Sequence, residues 1–336
     1  MPALNNIPAP AVSSFDRQRQ QALLDWLSSI LKINPTLVPL QQSASLRRYF
    51  RIQKDNIRYV VMDSTDLAAC TAFVNVANIF QSLNLHVPKI YAADLQQGFL
   101  LLSDLGDQLY ERALNTQSAD GLYQQTFASL LRIQACPRSA MLPTFDGVAY
   151  QARMTGFCEW YLQGLLNLKL TTAQQQVFAE AFTILMTAAQ TQPQVCIHYD
   201  YHCRNLLLLE QGQVGILDFQ DAKWGPITYD LMSLLRDCYL DWPVAQVEAW
   251  IAAFQQQAQQ AGILPEQDPQ LFLRWCDFAG LQAHFKNAGI FARLSLQENM
   301  HGYLKYLPRV LRYIHHVCGR YQELAEVKHL LDRCAA

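Results

Sequence analysis

Cys196-Ile197-His198-Tyr199-Asp200-Tyr201-His202-Cys203-Arg204-Asn205-Leu206-Leu207-Leu208-Leu209 is followed by Ile216-Leu217-Asp218-Phe219-Gln220. Together these two stretches decide the fold. His198, Asp200 and Asn205 stand at fixed offsets, and Asp218 comes thirteen positions after Asn205. The apolar runs 205–209 and 214–217 flank Glu210-Gln211-Gly212, which predicts a buried hairpin with a turn at its tip. Asp218 then falls just past the second strand.

Outward from this hairpin the chain changes character. Apolar spacing predicts helices over 119–134, 150–166 and 172–191, and again from 228 onward. Trp242-Pro243, residues 262–265 and Leu307-Pro308 break the last helical region. The front of the chain reads differently. A helix over 15–33 precedes short β-forming runs at 37–40, 49–53 and 57–62, with Asp55-Asn56 as a hairpin turn. A helix over 68–83 and strands at 90–94 and 99–102 complete that part. No internal repeat is visible. The expected class is α+β: a small antiparallel-sheet N-lobe with one main helix over 1–103, and a larger helical C-lobe over 104–336.

Composition narrows the function. The chain has 336 residues, with 26 Lys and Arg against 28 Asp and Glu, for a net charge of −2. A broad basic field for nucleic acid is absent at this balance. Hydrophobic residues make up 51%, enough for a large core and too many for a disordered chain. No apolar run reaches the length of a membrane span. Residues 1–10 lack both a cationic start and an apolar run, so no signal peptide is expected. The nine scattered cysteines contain no C-x-x-C pair, which suits reduced thiols and a cytoplasmic location. A monomer or weak oligomer is expected.

The quoted spacing has a chemical reason. Phosphoryl transfer depends on positioning and charge neutralisation more than on covalent help. One carboxylate must meet the attacking hydroxyl and accept its proton. An amide oxygen and a second carboxylate must hold Mg²⁺ against the phosphates. Asp200 suits the first task, and Asn205 with Asp218 suits the second. Taken singly, His198 would be an ordinary core histidine and Asp218 a turn residue. The full set at these offsets points to a kinase-type site.

The segments His198 to Asn205, Leu217-Asp218-Phe219-Gln220-Asp221-Ala222 and Gly225-Pro226-Ile227-Thr228-Tyr229-Asp230-Leu231 resemble the aminoglycoside phosphotransferase/choline kinase superfamily. More narrowly, the chain resembles bacterial anomeric N-acetylmuramate/N-acetylglucosamine kinases. Arg47-Arg48-Tyr49-Phe50-Arg51, Gly98-Phe99-Leu100-Leu101-Leu102 and Gly289-Ile290-Phe291-Ala292-Arg293-Leu294 fit that narrower pattern. The resemblance implies a protein-kinase-like two-lobed fold, ATP as phosphoryl donor and an amino sugar as acceptor. It assigns His198 to bracing the catalytic loop and Asp230 to accepting hydrogen bonds from the loop backbone. The stretch Ser103-Asp104-Leu105 resembles the hinge whose backbone meets adenine.

Three departures stand out. The phosphate-covering turn, Gln42-Ser43-Ala44-Ser45, lacks glycine, so Ser43 and Ser45 hydroxyls are candidates there. Val60-Val61-Met62-Asp63 ends without the ATP-binding Lys, which leaves Arg47, Arg48 and Arg51 to supply positive charge, or leaves it unsupplied. Tyr199 stands where protein kinases carry Arg.

On the acceptor side, residues 244–336 hold eight acids and nine bases, a poor bowl for a polycation. Asp221, Asp237, Tyr239, His284, Phe285, Phe291 and Arg293 are candidate sugar contacts. Ordinary helix packing would account for the aromatic ones equally well. Cys196 and Cys203 fall beside the catalytic loop and could make it thiol-sensitive. Two alternatives remain open: a kinase of another small alcohol, and a nucleotide-binding pseudokinase scaffold.

Overall fold

The computed structural model describes residues 14–40 and 47–335. The chain divides into two compact units. One comprises Met1–Ala77 and Pro88–Leu105, the other Asn78–Val87 and Gly106–Ala336. The division falls between Leu105 and Gly106 and counts the end of the helix Leu67–Ser82 with the second unit.

The first unit carries α1 (Ser14–Leu31), β1 (Val38–Pro39), β2 (Arg48–Lys54), β3 (Ile57–Asp63), most of α2 (Leu67–Ser82), β4 (Ile90–Asp94) and β5 (Phe99–Ser103). Its five strands form one antiparallel sheet in the order β1-β2-β3-β5-β4. Leu23, Leu27 and Leu31 recur every fourth residue on α1 and cover Ile52, Val61, Phe99 and Leu101 on one sheet face. Gly98 takes a φ of 76°, and a Cβ there would fall 2.1 Å from Ser64 O. Only glycine serves at this turn into β5.

In the second unit come α3 (Tyr110–Ala113), α4 (Ala119–Gln134), α5 (Gly147–Gly156), a π-helical stretch Phe157–Leu165 and α6 (Thr172–Gln190). Then follow β6 (Gln194–Ile197), β7 (Leu206–Leu208), β8 (Val214–Ile216), β9 (Lys223–Pro226) and α7 (Thr228–Leu235). The chain ends with α8 (Val244–Gln260), α9 (Pro269–Glu298), α10 (Leu307–Arg320) and α11 (Ala325–Ala335). The 30-residue α9 is the axis of the unit, packing against α5, the π-helical stretch, α6, α7, α8 and α10. Where it meets the end of α5, Gly289 lies so close that an added Cβ would sit 2.5 Å from the Gly156 carbonyl carbon.

Two features depart from the sequence expectation. Beside the hairpin β7-β8 a second two-stranded sheet, β6-β9, pairs Cys196 with Trp224 and Ile197 with Lys223. The helix expected over 150–166 instead turns π-helical from Phe157, as α9 crosses its backbone. Among the described residues no helix is long and apolar enough to cross a membrane.

Candidate active site

The catalytic-loop segment runs from the end of β6 to the start of β7, so two separate sheets hold its ends. Leu217 N–H donates to Asn205 O across the hairpin base at 2.9 Å, which brings Asn205 beside Asp218. Asn205 Nδ2 donates to Asp200 O at 3.0 Å, closing the loop on itself. Asp218 has a φ of 58° and Tyr199 one of 82°. Non-glycine residues in that region cost roughly 1–3 kcal/mol each and persist where the surroundings over-determine them.

Asp230 supplies much of that determination. It is buried in the first turn of α7, where its Oδ2 accepts from His198 N–H at 2.5 Å and its Oδ1 from Tyr199 N–H at 3.0 Å. Burial pushes this carboxyl up to about 7, opposed by those two N–H groups. The expected role of Asp230 therefore has direct geometry behind it. Asp237, after the same helix, repeats the device: Cys203 N–H donates to its Oδ2 at 3.0 Å and Tyr239 N–H to its Oδ1 at 2.8 Å.

His198 is fully buried against Phe80 and Tyr201. Its Nε2 lies 2.9 Å from Leu217 O, a pure acceptor, so Nε2 carries the proton. Its Nδ1 then accepts from Asp200 N–H at 3.2 Å. The imidazole ties the hairpin to the loop in its neutral form, and burial holds its pKa down to about 4.

This has a measurable consequence. Between about 4 and the ordinary 6.5 the unfolded chain binds a proton at His198 that the folded chain refuses, so stability falls as pH drops through that window. The full difference is worth about 3 kcal/mol. Asp230, held near 7 against an ordinary 3.8, acts oppositely, because the folded state binds the extra proton and stability falls as pH rises. The histidine term is therefore read as a difference. Urea unfolding at pH 7 and pH 4.5 should show wild type losing about 2 kcal/mol more than His198→Gln on acidification. Equal losses would contradict the neutral bridging role.

Asp200 itself is half-buried. Its carboxylate makes no hydrogen bond or ion pair among the described residues, since only its backbone atoms are engaged. A carboxylate held on a braced loop with free lone pairs can accept a hydroxyl proton. Asn205 and Asp218 offer hard oxygen donors at the hairpin base. Gln220 Nε2 bonds both Asp218 Oδ1 and Asp221 Oδ2 at 3.1 Å, orienting the two carboxylates. Among the described residues no group of three or more His, Cys, Asp or Glu could cage a metal. Two protein oxygens suit Mg²⁺, which keeps waters and takes phosphate oxygens as its remaining ligands. When bound, that ion would neutralise charge on the phosphates.

Residues 36–269 match the profile described as the phosphotransferase enzyme family. The chain belongs to the phosphotransferase enzyme family. An N-acetylmuramate/N-acetylglucosamine kinase of Pseudomonas putida is 40% identical over 302 residues, covering 90% of this chain and 89% of that protein. The enzyme of the same name from Pseudomonas aeruginosa is 37% identical over 328 residues, covering 94% and 97%. Among solved structures, an ADP-bound aminoglycoside phosphotransferase superposes with a TM-score of 0.60 at 14% identity, covering 87% of this chain and 97% of that one. A choline kinase from Streptococcus pneumoniae gives 0.62 at 12% identity, covering 88% and 99%. This phosphotransferase thus has the protein-kinase-like α+β fold.

The remaining expected site residues are placed as follows. Ser43 and Ser45 lie outside the described residues. In the first unit Arg48 pairs with Asp63 at 2.5 Å and Arg51 with Asp104 at 2.7 Å. Arg19 grips the same Asp63, so the strand end that lacks Lys holds a carboxylate bracketed by two arginines. Arg47 is half-buried just before β2. Ser103 is part of the sheet, opposite Tyr59 and bonded to Lys89 O at 2.8 Å. Asp104 and Leu105 follow it outside the strand.

Most acceptor-side candidates are engaged within the protein. His284 is wholly buried, with Nε2 2.9 Å from Arg236 O and its ring on Tyr313. Phe285 fills the aromatic core with Phe157, Phe178 and Phe182. Phe291 is buried against Tyr303 and Tyr306, and Arg293 pairs with Glu298 at 2.9 Å. Asp237 spends both carboxylate oxygens on backbone. His284, Phe285 and Phe291 are packed in the core and Asp237 is engaged by backbone, whereas Arg293 stays half-exposed in its pair with Glu298. Asp221 stays exposed beside Asp218, and Tyr239 lies 3.6 Å under the Arg204 guanidinium next to the loop. Cys196 and Cys203 are buried; a hydrogen bond with Cys136, then burial, raises the first thiol, and burial raises the second, which works against thiolate formation beside the loop.

Three cations that the sequence does not announce gather at the Tyr199 and Tyr150 rings, and the two lysines among them feel Asp200. Arg153 Nη1 donates to Tyr199 OH at 3.0 Å, Lys223 Nζ sits 3.5 Å above the Tyr199 ring, and Lys286 faces the Tyr150 ring at 5.8 Å. They come from α5, β9 and α9, more than 60 positions apart, so no local pattern announces them.

Proposed function

We propose that this phosphotransferase is an ATP-dependent, Mg²⁺-requiring sugar kinase. It transfers the terminal phosphoryl group of ATP to the anomeric C1 hydroxyl of N-acetylmuramate or N-acetylglucosamine. Asp200 accepts the hydroxyl proton as the acceptor oxygen attacks, while Asn205 and Asp218 hold the metal on the phosphates. Arg47, Arg48 and Arg51, with Ser43 and Ser45, are assigned to the nucleotide phosphates, and Ser103 to Leu105 to the base. The product sugar 1-phosphate suits the cytoplasmic recycling of cell-wall peptidoglycan.

One observation carries the reading. Relatives of this name match at 40% and 37% identity across nearly the whole chain, and the family match over residues 36–269 contains the stretch from Asp200 to Asp218. Cations around Asp200 disfavour polycationic acceptors such as aminoglycosides. An unpaired Asp200 beside an oriented Asp218 disfavours a scaffold without activity. ADP release with Mg²⁺ and ATP should appear with N-acetylmuramate and N-acetylglucosamine and stay at background with choline and kanamycin. Turnover confined to choline or kanamycin would sink the assignment.

A further inference from the structure

We propose that Arg153, Lys223 and Lys286 form an anion-binding subsite beside Asp200 that takes the carboxylate of an acidic acceptor sugar. This deepens the reading above and rests on it. It names the group that tells N-acetylmuramate, which bears a lactyl carboxylate, from N-acetylglucosamine, which has none.

The three cations share one aromatic floor. Tyr199 stacks on Tyr229 with centroids 5.2 Å apart and planes 11° apart, and Tyr150 meets Tyr229 edge-on at 5.7 Å. Arg153 reaches the Tyr199 hydroxyl, Lys223 covers the Tyr199 face, and Lys286 faces Tyr150. Lys223 feels Arg153 and Lys286, and Lys286 feels Arg153, as like charges. Both lysines are also within electrostatic range of Asp200, and Lys223 is within range of Asp221.

Among the described residues none of the three makes an ion pair with a carboxylate. Elsewhere in this unit, Arg204, Arg236, Arg274, Arg312 and Arg320 all do so. Three like charges gathered on an apolar floor repel one another and lose hydration, and burial lowers both ammonium groups accordingly. An anion placed among them would offset that cost with charge-assisted hydrogen bonds. Asp200, which both lysines feel, meets the acceptor in the reading above, whereas Asn205 and Asp218 serve the phosphate side. A carboxylate on the acceptor, one ring away from its reacting hydroxyl, is therefore the anion this place fits. The cation–π contacts hold the lysine heads in place without neutralising them.

The test is equilibrium binding by calorimetry, which needs no turnover. The full-length wild type is titrated with N-acetylmuramate and with its methyl ester, in which the lactyl charge is replaced by a neutral ester one methyl larger. The acid should bind roughly ten- to a hundredfold tighter than the ester. In Lys286→Met and Arg153→Gln that preference should collapse to within about threefold, and in Lys286→Arg most of it should return. Thermal unfolding of each variant separates lost charge from lost fold. Equal binding of acid and ester by wild type would overturn the subsite, as would a preference that survives both charge-removing variants. A failure of the kinase reading looks different: acid preference intact, but no ADP formed with either sugar.

Discussion

Replacing Asp200 with Asn should lower kcat by about a thousandfold while leaving the midpoint of thermal unfolding nearly unchanged. The structural part of the expectation comes from which atoms are engaged. Asp200 N–H bonds His198 Nδ1 and Asp200 O accepts from Asn205, and both contacts belong to the backbone. The side-chain carboxylate makes no hydrogen bond that an amide would break. Its replacement is nearly isosteric and removes only the basic lone pair. A base positioned on the reacting hydroxyl contributes about 10²–10⁴ to rate. The loss should fall on kcat, with KM for sugar changed far less, because the interaction develops as the proton moves. A raised KM with kcat intact would recast Asp200 as a sugar-holding residue. Unchanged turnover would remove it from the chemistry.

Gly289→Ala should destabilise the fold by about 3 kcal/mol, seen as a lower urea midpoint with an unchanged slope. In an open helix this substitution stabilises by up to about 1 kcal/mol, since alanine is the better helix former. Here the new methyl would meet the Gly156 carbonyl carbon at 2.5 Å, the Gly156 oxygen at 2.7 Å and Phe157 N at 2.8 Å. All are backbone atoms in a neighbouring helix, so no rotamer change relieves the clash. Helix α9 would have to lift from α5, and α9 is the axis of the second unit. Gly121 in α4 is the internal control, because a Cβ there meets nothing within 4 Å. Gly121→Ala should match or exceed wild type. Equal stability for both alanine variants would show that the crossing is looser than its geometry.

Much of this was visible in residue order, for identifiable reasons. The five front strands follow from β-branched and aromatic runs punctuated by Asp55-Asn56 and by Gly98. The candidate loop from His198 to Asn205 was legible because its members are close in sequence and its spacing suits a chemistry. The β6-β9 sheet was not, because Lys223-Trp224-Gly225-Pro226 has no alternating pattern and a proline at its end. The aromatics of α9 were ambiguous for a related reason. Phe285 and His284 have the spacing of a core helix and of a sugar-facing helix alike, and only packing separates the two. The arginine strand was seen, but its ion pairs with Asp63 and Asp104 were not, since strand pairing and three-dimensional folding bring them together. The Arg153, Lys223 and Lys286 cluster belongs to the same class, built by topology from residues that are distant along the chain.

On the proposed function, this chain phosphorylates the anomeric oxygen of a cell-wall amino sugar. The most direct test is phosphorus-coupled proton NMR of the product formed from ATP, Mg²⁺ and N-acetylmuramate. The product should show a phosphate coupled to the anomeric proton and no free reducing end. A phosphate coupled to the C6 protons, or a sugar recovered unchanged with no ADP formed, would contradict it.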